Sequence, residues 1–152
     1  MSTLIKIYNG TVTSGAKDGA EVSVEGSQVN PVSVSLNAAK AETKAIKLAV
    51  RCDEGYKTTE GEVTEISAYY YDGTSYNASG GNIGKWQFAK DEGFADAATA
   101  IKQAVWGSKL TINDVIGDTN VIFWVKASSD KTELPSNDTS TALHLHAVVE
   151  SV

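Results

Sequence analysis

Along much of the chain, apolar and polar residues alternate one for one, the signature of strands with one buried and one wet face. Val32, Val34 and Leu36 alternate with Ser33 and Ser35 after Pro31. After a turn through 37–42, Ile46, Leu48, Val50 and Cys52 alternate with Lys47, Ala49 and Arg51, and Asp53-Glu54-Gly55 closes the run. Val63 to Tyr71 predicts a strand with Ile66, Ala68 and Tyr70 on one face and Ser67, Tyr69 and Tyr71 on the other, followed by an Asp72-Gly73 turn. A glycine-rich loop over 77–84 leads to Trp86 and Phe88, which alternate with Lys85 and Gln87. Strands resume over Lys109–Ile112 and along Val121, Phe123, Val125 and Ala127, an inward row opposite Ile122, Trp124 and Lys126. A polar loop over 128–140 contains Pro135. In the last strand, Leu143, Leu145, Ala147 and Val149 face inward against His144, His146 and Val148.

One segment breaks this period. Phe94, Ala97, Ala98, Ile101, Ala104 and Val105 fall near helical spacing and predict a short amphipathic helix over 95–106, ended by Gly107 and plugging one edge of a sandwich. The first thirty residues read differently again: a strand from Leu4 to Tyr8, a polar Gly/Asp loop, a short strand at 21–24 and a linker at 26–30. The expected organisation is an N-terminal arm or hairpin over 1–30, used for attachment, and one β-sandwich over 31–152. About seven strands at regular spacing suit an immunoglobulin-like sandwich. Cys52 late in one strand, Trp86 in a later one and the Asp118-Thr119-Asn120 turn before Phe123 loosely echo that fold, with Val125 where a disulfide partner would stand.

Composition narrows the function classes. A chain of 152 residues buries about 68–70% of its unfolded surface, enough for a core without staples. With a single cysteine no intrachain disulfide forms, so folding does not depend on an oxidising compartment. No apolar run reaches the roughly 20 residues of a membrane span, and the N-terminus has no signal-peptide pattern, so the expectation is folding in a cytoplasm. The net charge of −6, with no cluster of Lys or Arg, argues against nucleic acid and anionic membranes as partners.

Candidate chemistry is sparse. His144-x-His146 places two imidazoles on one strand face about 7 Å apart, but no third ligand is evident and two solvent-facing histidines explain the spacing as well. Asn113, Asp114, Asp118 and Asn120 form an oxygen-rich turn without the spacing of a calcium loop. Cys52 lies on an inward face, where cysteine is usually an inert small hydrophobe. Asp53 and Glu54 are adjacent, so on a strand they point opposite ways and cannot form a facing carboxylate pair. No nucleophile-elbow, phosphate-loop or dinucleotide glycine pattern occurs. The expectation is a protein that is not an enzyme and takes no metal or cofactor. Tyr69, Tyr71, Tyr76, Trp106 and Trp124 are the remaining candidates: exposed, they could stack on sugars or anchor an interface; otherwise, the helix or the N-terminal segment covers them.

Three stretches, Lys47–Thr58, Leu110–Asn120 and Pro135–Ser140, together with the opening Leu4–Thr11, resemble small immunoglobulin-like structural proteins of tailed bacteriophages and prophages of Gram-positive bacteria. The resemblance implies a virion protein assembled in the host bacterial cytoplasm, most simply a capsid (head) decoration protein, otherwise a tail ornament, with the major capsid protein or another virion protein as partner. It brings no catalytic residues. Under it, Leu4, Ile5, Ile7 and Tyr8 are expected to dock on the particle. Tyr69, Tyr71 and Tyr76 are expected to contact a surface ligand such as a host-surface or mucosal glycan. An unpaired N-terminal strand would favour association on the particle lattice over a stable oligomer in solution. A free-standing carbohydrate-binding or adhesion module is the alternative.

Overall fold

The computed structural model describes residues 4–22, 36, 42–129 and 140–152. Its described residues form strands β1 (Ile5–Asn9), β2 (Ala20–Glu21), β3 (Thr43–Cys52), β4 (Tyr56–Thr58), β5 (Thr64–Tyr71), β6 (Tyr76–Asn77), β7 (Trp86–Lys90), β8 (Lys109–Ile112), β9 (Val121–Ser128), β10 (Thr141–His146) and β11 (Val149–Ser151), with one α-helix, α1 (Ala97–Gln103), and a 3-10 turn at Ile83–Lys85. The protein is mostly β, and every strand pairing is antiparallel.

Two sheets close on one core. The first runs β2-β1-β3-β9-β7; in the second, β5 is flanked by β10 on one edge and by β6 and β8 on the other. The inward rows legible as period-two runs meet between them. Ile5, Ile7, Leu48, Val50, Cys52, Phe88, Phe123 and Val125 come from the first sheet, and Ile66, Ala68, Leu110, Leu143 and Leu145 from the second. The β4–β11 ribbon closes one end of this core. There the Ile116 N–H donates to Thr58 Oγ1 and the Thr58 N–H to the Ile116 carbonyl, so buried Thr58 is satisfied.

The first sheet is covered on its outer face as well. The helix, capped by the Asp96 carboxylate on the Thr99 N–H at 2.8 Å, lays Ala97, Ala100 and Ala104 over Ala45, Ala89 and Trp124. Alanines at this contact let the helix backbone approach the strands closely. Beside it, the loop after β1 places Val12 over Tyr8, Ala49 and Ile122. The helix is therefore shorter than the 95–106 span and lies across a sheet face, not at an edge of the sandwich. Ala98 and Val105 point to solvent, Val105 at 84% exposure. Gly107 leaves the helical segment and exchanges two backbone hydrogen bonds with Phe88, covering the outer edge of β7.

Of the arm or hairpin expected over 1–30, the described part is an antiparallel hairpin of β1 and β2 built into the first sheet. β1 sits between β2 and β3, pairing Ile5 through Tyr8 with Cys52 through Ala49, and Ile5 and Ile7 are core residues. The physical reason is the alternation of Ile5 and Ile7 with Lys6: a strand whose apolar row fills a gap in its own chain's core lowers the free energy more than one left exposed. Residues 5–9 and 20–21 thus pair into the same sheet as residues 43–52, across the expected division at residue 30. Of the short strand at 21–24, Ala20–Glu21 forms β2; 23–24 lie outside the described residues, as do the linker at 26–30, the row at 32–34 and most of the loop around Pro135. Leu36 has no regular structure. The last strand divides: β10 stops at His146 and β11 turns to pair with β4.

The cysteine–valine echo is also corrected. Cys52 and Val125 lie on paired strands of the same sheet, and Val125 stands opposite Ile46. They do not face each other across the core. Trp86 sits in the first sheet too, opposite Ala127.

Candidate binding face

The first sheet is covered on both sides, and the second has its inner face in the core. What remains open among the described residues is the outer face of the second sheet. Strand alternation puts Glu65, Ser67, Tyr69 and Tyr71 of β5 on it. Register adds His146 opposite Glu65, His144 opposite Ser67 and Ala142 opposite Tyr69 from β10. On the other edge, β8 brings Thr111 beside Glu65 and Lys109 beside Ser67, and β6 brings Tyr76 beside Tyr71. From Glu65 to Tyr71 this face runs roughly 20 Å at the usual strand rise.

The rings on it are ordered in pairs. Tyr69 and His144, diagonal neighbours, stack with centroids 3.8 Å apart and planes 8° from parallel. Tyr71 and Tyr76 meet at 4.8 Å with a 35° tilt. The polar end is also paired, with Lys109 Nζ 3.4 Å from Glu65 Oε1. The face therefore grades from charged and polar at Glu65, Lys109 and His146 to aromatic at Tyr71 and Tyr76.

The aromatic end is held by its turn. Asp72 accepts the N–H groups of Thr74 and Ser75, both at 2.9 Å, and the Asn77 side-chain amide at 3.1 Å. These hydrogen bonds to the charged form, led by those from the Ser75 and Thr74 N–H groups, lower the Asp72 pKa. The Tyr71 hydroxyl donates to the Gly73 carbonyl. Behind the hairpin, the backbone of Gly80 and Gly81, both at positive φ, lies against the Tyr70 ring so closely that a Cβ on either would strike it. The glycine-rich loop is thus packing for the aromatic hairpin.

The other sequence candidates fall elsewhere. Ile5 and Ile7 are in the main core, and Tyr8 lies under the loop with the Arg51 guanidinium 3.6 Å from its ring centre. Leu4 enters the sheet, its carbonyl accepting the Asp53 N–H. The side chains of Ile5, Ile7 and Tyr8 are buried in the fold, and Leu4 is half-buried. Trp124 is buried under the helix and donates its indole N–H to Asp91, and half-buried Trp106 donates to the Ala100 carbonyl with Lys126 Nζ 4.7 Å over its ring. His144 and His146 do share a face, and among the described residues no group of three His, Cys, Asp or Glu could hold a metal ion. The oxygen-rich turn is engaged otherwise: Asp118 pairs with Lys17, and buried Asn120 serves Arg51, Asp18 and Thr13. Cys52 is buried against the Ile116 carbonyl, and desolvation pushes its thiol pKa up to about 11. No helix among the described residues is long and apolar enough to cross a membrane.

Sequence reasoning named Tyr69, Tyr71 and Tyr76 but missed the partners that organise them. Alternation places Glu65 and Ser67 on the face of Tyr69 and Tyr71, but nothing in the sequence brings His144 or Lys109 to them. Their placement depends on which strand pairs with which, and the sequence carries no signal for that beyond alternation.

No family model, curated protein or solved structure matches this chain.

The functional reading therefore rests on the face itself and on the sequence resemblance.

Proposed function

We propose that this chain is a non-enzymatic structural and binding domain of a tailed-phage particle, a capsid decoration protein, that turns the outer face of its second sheet away from the particle. The observation that carries the binding part is the asymmetry of the two sheets: helix and loop seal one outer face, and among the described residues nothing covers the other, which carries ordered aromatic pairs. The virion part rests on the resemblance of Lys47–Thr58, Leu110–Asn120 and Leu4–Thr11 to phage structural proteins. An immunoglobulin-like arrangement is supported by the strand order. With β1, β3, β9 and β7 read as strands A, B, E and D, the first sheet follows the A-B-E-D order, and β5 pairs β10 as C pairs F. Two strands depart from it: β11 pairs with β4 in place of the F strand, and β8, between the D and E strands in the chain, pairs with β5.

Docking on the particle uses surface other than the side chains of Ile5, Ile7 and Tyr8, which the fold buries, and of the four expected docking residues half-buried Leu4 keeps exposed surface. The test is electron microscopy of native particles with the purified protein added back to particles lacking it. Density on capsomers supports a head ornament, density along the tail moves the protein there, and no density with folded protein refutes the virion reading. A second reading, a carbohydrate-binding or adhesion module acting off the particle, is favoured by the same aromatic hairpin and predicts glycan binding without particle binding.

A further inference from the structure

We infer that the open face of the second sheet is a binding site for a neutral oligosaccharide, with the Tyr71–Tyr76 hairpin as its stacking end and the Ser67–His144–His146 row as its hydrogen-bonding end. This rests on the reading of that face as the binding surface, and it names the ligand class.

The residue types on the face select the ligand. A sugar ring has an apolar C–H side and a rim of hydroxyls, so it needs aromatic carbon next to small polar groups. Tyr71 and Tyr76 supply the first, with Tyr71 36% exposed. Ser67, His144, His146 and Glu65 supply the second on the neighbouring rows. Ser67 and Ala142, opposite His144 and Tyr69, are small, so the Tyr69–His144 stack has small neighbours on the other diagonal. That stack assigns Tyr69 a different role from Tyr71. One face of the Tyr69 ring is already covered by His144, which leaves the stacking role to the hairpin tyrosines.

The same face disfavours other ligands. Polyanions, including nucleic acid and sulfated or sialylated glycans, meet a chain of net charge −6 and a face whose lysine is paired with Glu65. The hairpin is also rigid before any ligand arrives, through Asp72, Asn77 and the Gly80–Gly81 packing on Tyr70, so little ordering cost falls on binding.

The experiment is an array of neutral hexose- and N-acetylhexosamine-based oligosaccharides beside sulfated and sialylated ones, probed with the full chain, followed by calorimetry on the strongest neutral glycan. Neutral glycans should bind and anionic ones should not. Tyr71→Ala and Tyr76→Ala should each weaken binding roughly tenfold. Tyr71→Phe should keep the affinity, and Val105→Ala, on a remote surface, should leave it unchanged. Circular dichroism checks that each variant folds. A blank neutral array with folded protein overturns the inference, as does affinity that survives the loss of both hairpin tyrosines. Particle binding with a blank array would sink the glycan and leave decoration standing; glycan binding without particle binding would do the reverse.

Discussion

The Arg51 guanidinium lies 3.6 Å from the centre of the Tyr8 ring and donates from the same nitrogen to Asn120 Oδ1 at 2.7 Å and to the Asp18 carbonyl at 2.8 Å. One side chain thus joins β1, β3, the loop after β1 and the start of β9. Asn120 completes the joint by donating to the Thr13 carbonyl and to Asp18 Oδ1. Only 3% of Asn120 is exposed, and Asn120→Ala removes its hydrogen bonds to Arg51, Thr13 and Asp18 together, which should cost about 1–3 kcal/mol in a urea titration. Arg51→Lys keeps the charge but loses the planar fork and should also destabilise. An unchanged midpoint in both variants would show that the joint contributes nothing.

The burial of β1 sets the outcome of an N-terminal deletion. Removing residues 2–22 takes Ile5, Ile7 and Val22 from the core and bares the edge of β3. The remainder should fail to fold cooperatively. Ile7→Ala alone should cost about 2–5 kcal/mol, read from thermal or urea unfolding. A stable, cooperatively melting deletion variant would restore the arm.

What the sequence made legible was the inward rows. Ile46-Leu48-Val50-Cys52 and Phe123-Val125-Ala127 read correctly because a buried face imposes period two on each strand independently. Pairing is a different kind of information. That β1 lies beside β3 pairs Ile5 with Cys52 and Tyr8 with Ala49, residues too far apart for any local window to contain. The helix was misplaced because alanine is apolar enough to mark a buried stripe but too small to say which side of a sheet it covers. Within the candidate face, the tyrosines could be read from alternation, whereas the His144 stack on Tyr69 needed the β5–β10 register.

Acid should loosen the loop and the helix first. The Asp18 pKa is lowered chiefly by the Thr13 N–H and hydroxyl, and the Asp96 pKa by the Thr99 N–H and hydroxyl. A depressed carboxylate contributes stability that is present above its unfolded pKa and is lost as pH falls through the folded value. Amide exchange at Thr13 and Thr99 should therefore rise relative to the core as pH drops below the ordinary carboxylate range, after correction for intrinsic rates. Asp96→Asn should retain most of the cap at neutral pH, and Asp96→Ala should not. Equal thermal midpoints for the two variants would contradict the capping role.

Cys52 should be nearly inert. With its pKa pushed to about 11, its thiolate fraction at pH 8 is roughly a hundredfold below that of an ordinary thiol, before burial is counted. Iodoacetamide should label the native chain at least that much more slowly than the urea-unfolded one. Because the folded pKa is raised, this group's contribution to stability is intact below its unfolded value and is lost as pH climbs toward 11. Rapid native labelling would mean that the β3 end opens.

The Gly80–Gly81 contact with Tyr70 offers a way to disturb the candidate face without touching a residue on it. Gly81 has φ +54, and a Cβ there would run into the Tyr70 ring. Gly81→Ala must therefore shift the loop or push Tyr70, and Tyr70 is the β5 residue directly before Tyr71, paired with Asn77 of β6. The core beneath is built from Ile66, Ala68, Leu143 and Leu145, and the loop adds half-buried Ile83 at its margin. The expected result is a small loss of global stability with a local loss of order in the 71–77 hairpin, visible as faster amide exchange at Ser75 and Asn77. Weaker binding of whatever occupies the Tyr71–Tyr76 pair should accompany it. Gly84→Ala in the same loop, where a Cβ meets nothing within 4 Å, is the control and should leave both readouts near those of the parent chain. Identical hairpin exchange in Gly81→Ala and Gly84→Ala would show that the glycine contact does not hold the aromatic end in place.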